Sequence, residues 1–391
     1  MNDRLLLTFN AGSSSIKIGL FETNMASAVP HARGLIDFRS APLRLHMTDG
    51  PATFDVGLTA KPSEDLHEVI SETFSWLSQH YDMKGVAAVG HRVVHGGDIF
   101  PGPARLTAES IEAIAGLSIL APLHQAHSVR VIRAVRRLFP ELAQTASFDT
   151  AFHATNSDIV RRFAIPRMLH DQGIKRYGFH GLSYKYIAGE LARRAPEIAR
   201  RKVVVAHLGS GASLCGLDAG VSRDSSMGFS TLDGIPMATR CGALDPGVLL
   251  HLMGPLGRSL ADVDDILYHQ SGLLGVSGIS ADSRKLLASN EPAAKEAIDL
   301  FTFRIAGEIA RIATTLGGLD AIVFTAGIGE NQPEVRAKVA SRLHWLGLKL
   351  NDAANAANAE IINASDSQLK AYVIPTNEEQ VIAEEAIEVI R

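Results

Sequence analysis

The chain makes the same arrangement twice. Residues 203–216 read VVVAHLGSGASLCG. Val203, Val204, Val205 and Ala206 form a short buried strand, Gly209, Ser210, Gly211, Ala212 and Ser213 a turn, and Leu214, Cys215 and Gly216 the start of a second strand. Residues 5–21, LLLTFNAGSSSIKIGLF, repeat the pattern with the turn at residues 10–15. A tip of such small residues lets backbone N–H groups approach a phosphate, because no side chain stands in the way. One glycine-rich turn is weak evidence. Two of them, about half a chain apart, predict a duplicated domain with both tips serving one site. The length of 391 residues, too much for one ordinary core, also predicts two domains.

Between and beyond the hairpins the pattern is that of an α/β protein. Residues 63–79 read as a helix with Ser63 as its cap. A buried strand at 86–89 runs into GHRVVHGG, where Arg92 is either part of an anion site or an exposed arginine beside a turn. Helices are predicted at 107–115 and 128–138, the second after the segment APLHQAH. A short strand at 145–148 ends at Asp149, which is placed to meet a ligand or to cap a turn. RYGFHG at 176–181 precedes a helix capped by Ser183. Asp245 followed by Pro246 has the form of a helix start. A long helix at 290–316 is closed by Gly317 and Gly318, and a strand at 321–324 enters Thr325-Ala326-Gly327-Ile328-Gly329-Glu330-Asn331. The last strand covers 372–374. Thr376 and Glu379 then form a capping box, which accounts for Glu379 but not for Glu378.

Composition narrows the chemistry. A net charge of −4 gives no general attraction to nucleic acid or membrane. Two cysteines, Cys215 and Cys241, build no disulfide framework, and a strand starting at Leu5 leaves no room for a signal peptide; a cytosolic protein is expected. No P-loop, dinucleotide fingerprint, zinc-protease helix or nucleophile elbow is present. What remains is two phosphate-sized tips, a third Gly-x-Gly, and arginines, histidines and carboxylates at loop positions. Phosphoryl transfer uses that set: amides and a metal hold phosphates, cations neutralise the transferring group, and a carboxylate holds magnesium.

The segments FNAGSSSIK, GHRVVHGG, APLH, FDTAFH, RYGFHGLS, HLGSGAS, DSSMGF, ATRCG-x-x-DP, SGLLGVSG, AGIGEN and IPTNEE, in this order, resemble the acetokinase family, within the superfamily of sugar kinases, heat-shock chaperones and actin. The resemblance implies two actin-like (ribonuclease H-like) α/β domains with the active site in the cleft between them. Residues 1–150 with 379–391 form the first domain; residues 151–378 form the second, with the nucleotide site and a dimer interface. It implies a cytosolic homodimer that transfers a phosphoryl group from ATP to acetate, directly and in line, giving acetyl phosphate and ADP. By the same resemblance Asn10 and Glu378 hold magnesium, or manganese in its stead. Ser13, Ser15 and Lys17 belong to the first phosphate hairpin; His207, Gly209 and Gly211 belong to the second. Arg92 and Arg240 hold the carboxylate and the transferring group, Asp149 is the catalytic aspartate, and His180 and His124 contact the phosphoryl group. Asp282, Ser283 and Arg284, with Gly327, Ile328, Gly329, Glu330 and Asn331, bind the nucleotide, and Val94, Leu123 and Phe179 line a pocket for the acyl methyl group.

The chain departs from the family pattern in four places. APLH continues as Gln125-Ala126-His127-Ser128 instead of Asn-Pro-x-Asn. Ser210 replaces an asparagine, residues 230–234 read STLDG for TPLEG with the loss of a pocket proline, and Ala243 replaces an acidic residue. Propionate and butyrate are therefore competing substrates. Two rival functions exist. A metallohydrolase would use His91, His95, His124, His127 and His153; it leaves the arginines and glycines without a role. An actin-like nucleotide-binding module without catalysis leaves Arg92, Asp149, Arg240 and Glu378 without one.

Overall fold

The first apolar run forms strand β1 (Arg4–Ala11), which pairs antiparallel with β2 (Ser15–Thr23). The proline-punctuated stretch that follows continues the meander as β3 (Ala28–Asp37), β4 (Arg44–Asp49) and β5 (Ala52–Gly57). On its other side β1 runs parallel to β6 (Val86–Val93). Short β7 (Ala104–Arg105) and β8 (Ala143–Phe148) complete the sheet, with β8 parallel to β6. In this computed structural model residues 4–12, 15–24, 26–61 and 66–391 are described.

Alternation along β1 sorts its side chains to two faces. Leu7 and Phe9 join a core with Val69, Ile70, Phe74 and Leu77 of helix His67–His80 and with Val131 and Val135 of helix Pro122–Leu138. Leu6 packs on the other face against Ala383, Ala386 and Ile387 of helix Glu378–Ile390. Each buried Leu, Ile, Val or Phe among them contributes roughly 1.5–3 kcal/mol. The helix lies so close to β6 that a Cβ on Gly90 would stand 2.7 Å from Ile382 Cγ2.

A second sheet repeats the plan. β9 (Lys202–Leu208), β10 (Ala212–Asp218) and β11 (Val221–Ser225) form an antiparallel meander, and β12 (Ala321–Thr325) and β13 (Lys370–Val373) add parallel strands beyond β9. The order β11-β10-β9-β12-β13 matches β3-β2-β1-β6-β8 strand for strand, in direction as well as sequence. The echo between the two hairpins is thus a duplicated α/β fold. Helix Pro292–Leu316 packs on this sheet, held by buried Asp224 of β11, which accepts from Arg311 Nη1 at 2.8 Å and Nη2 at 3.1 Å. The chain divides into two units. Met1–Ala154, Gly181–Tyr186 and Asn377–Arg391 make the first; Thr155–His180 and Ile187–Thr376 make the second.

Several boundaries differ from the sequence reading. Asn10 and Ala11 stay in β1, opposite Lys17 and Ile16, and Ala212 and Ser213 belong to β10. Small residues do not break a ladder whose partner strand is present. The strand predicted at 86–89 runs on to Val93, because parallel pairing continues through Arg92 with Ser147 and Val93 with Phe148. The helix predicted at 128–138 begins at Pro122, whose missing N–H and preset φ suit a first helical position. Ser183 does not cap its helix, which starts at Gly181 behind His180. Asn377, and not Thr376, caps the last helix: its side chain accepts from Gln380 N at 3.1 Å. The cap at Asp245 forms as expected, and Thr107, placed inside its helix by the sequence, instead caps helix Ala108–Gly116. The residues proposed as Ser63 cap and first turn, 63–65, lie outside the described residues.

Candidate active site

In the first unit the ends of β1, β6 and β8 and the start of helix Glu378–Ile390 bring five polar side chains together. Asp149 follows β8 and is buried at 1% side-chain exposure. Arg92, on β6, meets it side-on: Nε donates to Oδ1 at 3.0 Å and Nη2 to Oδ2 at 2.6 Å. Arg92 Nη1 donates to Asn10 Oδ1 at 3.1 Å. The Asn10 amide then donates through Nδ2 to Glu378 Oε2 and to Glu379 Oε1, each at 2.8 Å. Lys17, opposite Asn10 on β2, reaches 3.8 Å from Glu379 Oε1 and stays largely exposed. Burial alone would push the Arg92 guanidinium down; the charges of Asp149, Glu378 and Glu379 hold it above its ordinary value, so it is a permanent cation. Formally, three carboxylates face Arg92 and Lys17, which leaves one negative charge for a cation to neutralise.

Asn10, Arg92, Asp149 and Glu378, widely spaced in sequence, therefore converge. Ser15 begins β2, and Val94 is buried directly after β6. His124 stands in the first turn of helix Pro122–Leu138. Ser13 and the side chain of Leu123 lie outside the described residues. Glu379 is the residue that the sequence reading missed, having been assigned to a capping box. The one signal available was a second carboxylate beside Glu378 at a helix start, where negative charge is favoured.

The second unit gathers the other predicted groups. His180 Nδ1 and Ser213 Oγ share a hydrogen bond of 2.7 Å, and the His180 ring stacks on His207 with centroids 4.3 Å apart. Arg240 Nη1 donates to Thr231 O at 3.3 Å. At Gly211 a Cβ would lie 3.5 Å from His180 Nε2 and 3.7 Å from Arg240 Nη1, so the tip of the β9–β10 hairpin is flanked by both. Gly209 closes this tip, its N–H donating to Gly211 O at 3.2 Å. Phe179 is buried beside His180 in sequence. His180 holds φ 56°, a left-handed conformation for a residue with a Cβ, which costs about 1–3 kcal/mol and marks a constrained position. Ser213, fully buried, is a second residue missed by sequence: it was read as part of a turn.

The Gly-x-Gly segment is the short helix Ala326–Asn331. Gly327 and Asn331 are exposed and Ile328 half-exposed, while Gly329 is buried. Glu330 turns back, its Oε1 accepting from Ala326 N at 2.8 Å and Thr376 N at 3.1 Å. Arg336, fully buried, donates to Gly329 O at 2.8 Å and Glu330 O at 3.1 Å and holds the helix from behind. Asp282 caps the helix Ser283–Leu287 and pairs with Arg284 at 2.7 Å; Arg284 holds its carboxyl below the ordinary range. Buried Ser283 accepts from Gln332 Nε2 at 2.7 Å, which ties the two segments together.

The acetokinase family model matches residues 5–384. The chain belongs to the acetokinase family. An acetate kinase of Rhodopseudomonas palustris (strain TIE-1) is 46% identical over 386 residues, covering 97% of this chain and 96% of its own. Among solved structures, a propionate kinase from Francisella tularensis subsp. tularensis SCHU S4 superposes with a TM-score of 0.90 at 35% identity, covering 98% of each chain. The Porphyromonas gingivalis acetate kinase superposes with a TM-score of 0.87 at 30% identity, covering 99% of this chain and 100% of its own. The acetokinase fold and the α/β duplication are thus the same finding reached from two sides.

The acetokinase donor set suits a hard cation. Among the described residues no group of three or more His, Cys, Asp and Glu is arranged to hold a metal, so the five histidines of the metallohydrolase reading do not converge. Magnesium asks for less: it keeps several waters and takes one or two carboxylates together with substrate phosphates. Glu378, with Asn10 beside it, fits that demand. Among the described residues no helix is long and apolar enough to cross a membrane.

Proposed function

We propose that this protein is an acetate kinase that transfers the γ-phosphoryl group of ATP to acetate. The observation that carries the reading is the Arg92–Asp149 pair joined to Asn10 and two glutamates, in a chain that matches the acetokinase family over nearly its whole length. Acetate is ionised at about pH 7, so it attacks without a general base. Its carboxylate oxygen forms the new bond to phosphorus as the bond to the β,γ-bridging oxygen breaks, and ADP leaves with that electron pair. Arg92 holds the acid's carboxylate, with Val94, Leu123 and Phe179 against its methyl group. Asp149 fixes the Arg92 fork and orients the transferring group. Arg240, His180 and His124 stabilise charge on the equatorial phosphoryl oxygens, and Ser213 holds the His180 ring.

Asn10 and Glu378 would hold magnesium, with manganese as a substitute, and the ion would supply positive charge against the phosphates. Ser13, Ser15, Lys17, His207, Gly209 and Gly211 contact the phosphates. Gly327, Ile328 and Asn331 face the nucleoside; Gly329 and Glu330 shape their helix. Asp282, Ser283 and Arg284 border the same ligand. Residues 1–150 with 379–391 form one domain, and residues 151–378, with the nucleoside site and the dimer interface, the other. The two free cysteines suit a reducing cytoplasm.

A homodimer is part of this reading. Leu244, Val248, Leu250, Met253, Leu256 and Leu260 are all exposed, Leu250 at 74% and Leu260 at 71%, an apolar run that a second copy covers. Light scattering should give twice the chain mass of 41.8 kDa, and Leu250→Glu should shift it toward the single chain.

The test is a hydroxylamine trap: protein, MgATP, hydroxylamine and acetate, propionate or butyrate, with acyl hydroxamate read by its iron colour. Strongest colour with acetate supports the reading. Strongest colour with propionate supports the second reading, a propionate kinase, which the likeness to the Francisella enzyme favours. No colour with any acid despite bound ATP rejects both.

A further inference from the structure

Gln125 is the fourth residue of helix Pro122–Leu138 and is completely buried. A buried primary amide has to place two N–H donors and a carbonyl acceptor. Gln125 places all of them on main chain. Its Nε2 donates to His95 O at 2.9 Å and to Ile114 O at 3.1 Å, and its Oε1 accepts from His95 N at 3.0 Å. One side chain thus holds both backbone groups of His95, as a neighbouring strand would, and fastens them to the end of helix Ala108–Gly116.

What the clamp holds is the segment that continues β6. Sheet pairing stops at Val93, opposite Phe148. Beyond it, Asp149 N donates to Val93 O at 3.0 Å and Gly96 N donates to Thr150 Oγ1 at 3.0 Å. Gln125 adds a further hold midway, at His95, beside the Gly97 N–H that donates to His95 Nδ1 at 2.9 Å. Val94 is buried between these anchors, and Arg92 stands two residues before it. Residues 92–96 therefore carry, in five consecutive positions, the guanidinium placed above on the acid's carboxylate and the valine placed on its methyl group.

We infer that Gln125 is a positioning residue for the carboxylic acid: by fixing His95 it sets where Val94 stands relative to Arg92, and so the length of acyl chain accepted. The inference rests on the proposed function. Gln125 touches no reacting atom; it acts through the loop. Shortening its stem by one methylene, Gln125→Asn, pulls the clamp away from His95 and lets Val94 move. In Gln125→Glu a carboxylate oxygen faces two carbonyl oxygens in place of the N–H donors. Burial and those oxygens raise the carboxyl pKa, and only the protonated form restores a donor.

The experiment measures hydroxamate formation with acetate and with propionate, together with ATP saturation and thermal melting, for the wild type, Gln125→Asn and Gln125→Glu. In Gln125→Asn the acetate-to-propionate ratio of kcat/KM should shift by roughly 10-fold, the scale at which a pocket senses one methylene, while KM for ATP stays unchanged. In Gln125→Glu, kcat/KM for acetate should fall about 10- to 100-fold at roughly pH 8, as expected of a misplacement near 1 Å, and recover toward the wild-type profile as pH falls to roughly 6. A folded Gln125→Asn with the wild-type substrate ratio overturns the inference. So does an equal loss for both acids with every KM unchanged, since that reports only fewer folded molecules. An unfolded Gln125→Asn leaves the pH profile of Gln125→Glu to decide, where a flat loss overturns it. A wild type that makes no hydroxamate with either acid removes the proposed function, and this inference with it.

Discussion

The Arg92 guanidinium is locked by Asp149 and Asn10, whereas Arg240 spends one nitrogen on the carbonyl of Thr231. That difference separates two kinds of arginine. Removing Arg92 strands a buried carboxylate, so its loss costs stability as well as activity. Arg240 Nη1 meets neutral groups, Thr231 O and Met237 Sδ. Arg240→Ala should keep its fold by circular dichroism and lose about 10³–10⁵ in turnover, the range for a charge clamp on a transferring phosphoryl group; near-normal turnover would remove Arg240 from the mechanism. Glu379 makes a similar contrast. Were it a capping residue, Glu379→Gln would act on stability. Placed against Asn10 and near Lys17, it should instead raise the magnesium concentration for half-maximal activity roughly tenfold, as residues that orient metal ligands do. A magnesium titration that matches the wild type argues for a purely structural residue.

At the scale of elements, the last helix is the joint on which the first unit's site depends, since Glu378 and Glu379 are its first two residues. Its start was legible only in part. Thr376 and Glu379 have capping-box spacing, but Asn377 takes the N-terminal N–H, and the threonine's own N–H is bound by Glu330. Asn377→Ala should therefore cost about 1 kcal/mol by urea unfolding, and Thr376→Ala distinctly less. The opposite order would return the cap to Thr376. Gly90 sets how closely this helix lies on β6. Gly90→Val puts branched carbon where Ile382 Cγ2 already sits at 2.7 Å and its carbonyl at 3.2 Å. About 1–3 kcal/mol of stability should be lost on denaturant unfolding, and activity with it as Glu378 shifts. The helix at Pro122 shows the reverse case. Its proline signal is present in the sequence, but the sequence places the HQAH segment before the helix, and there Gln125 stands out only as a departure from the family pattern, with no partner to name.

For the whole molecule, two buried histidines contribute to the loss of stability in mild acid. Burial pushes His91 and His95 down to about 4 each, from an ordinary value of 6.5; the hydrogen bond that His91 Nε2 donates to Gln144 Oε1 and the charge of Asp98 at His95 only partly oppose it. The unfolded chain thus binds more protons than the folded one between about pH 6.5 and 4, and stability should fall through that window as pH falls. Melting temperatures across it should drop, and His91→Gln should flatten the slope; an unchanged slope would assign the loss to other groups. What the sequence by itself determined is local or repeated. Strand, small-residue tip and strand occur twice, proline and aspartate mark the helix at residue 246, and ordered motifs span the chain. These follow from backbone sterics, side-chain periodicity and small-residue tips, which need only neighbours. What only the tertiary structure decided is pairing across distance. Asn10 meets Glu378 across 368 residues, Gln125 closes on His95, and β6 runs on to Val93 because β8 is there to receive it. A buried donor takes whichever acceptor the packed chain brings within 3 Å, and that choice is made by the fold as a whole.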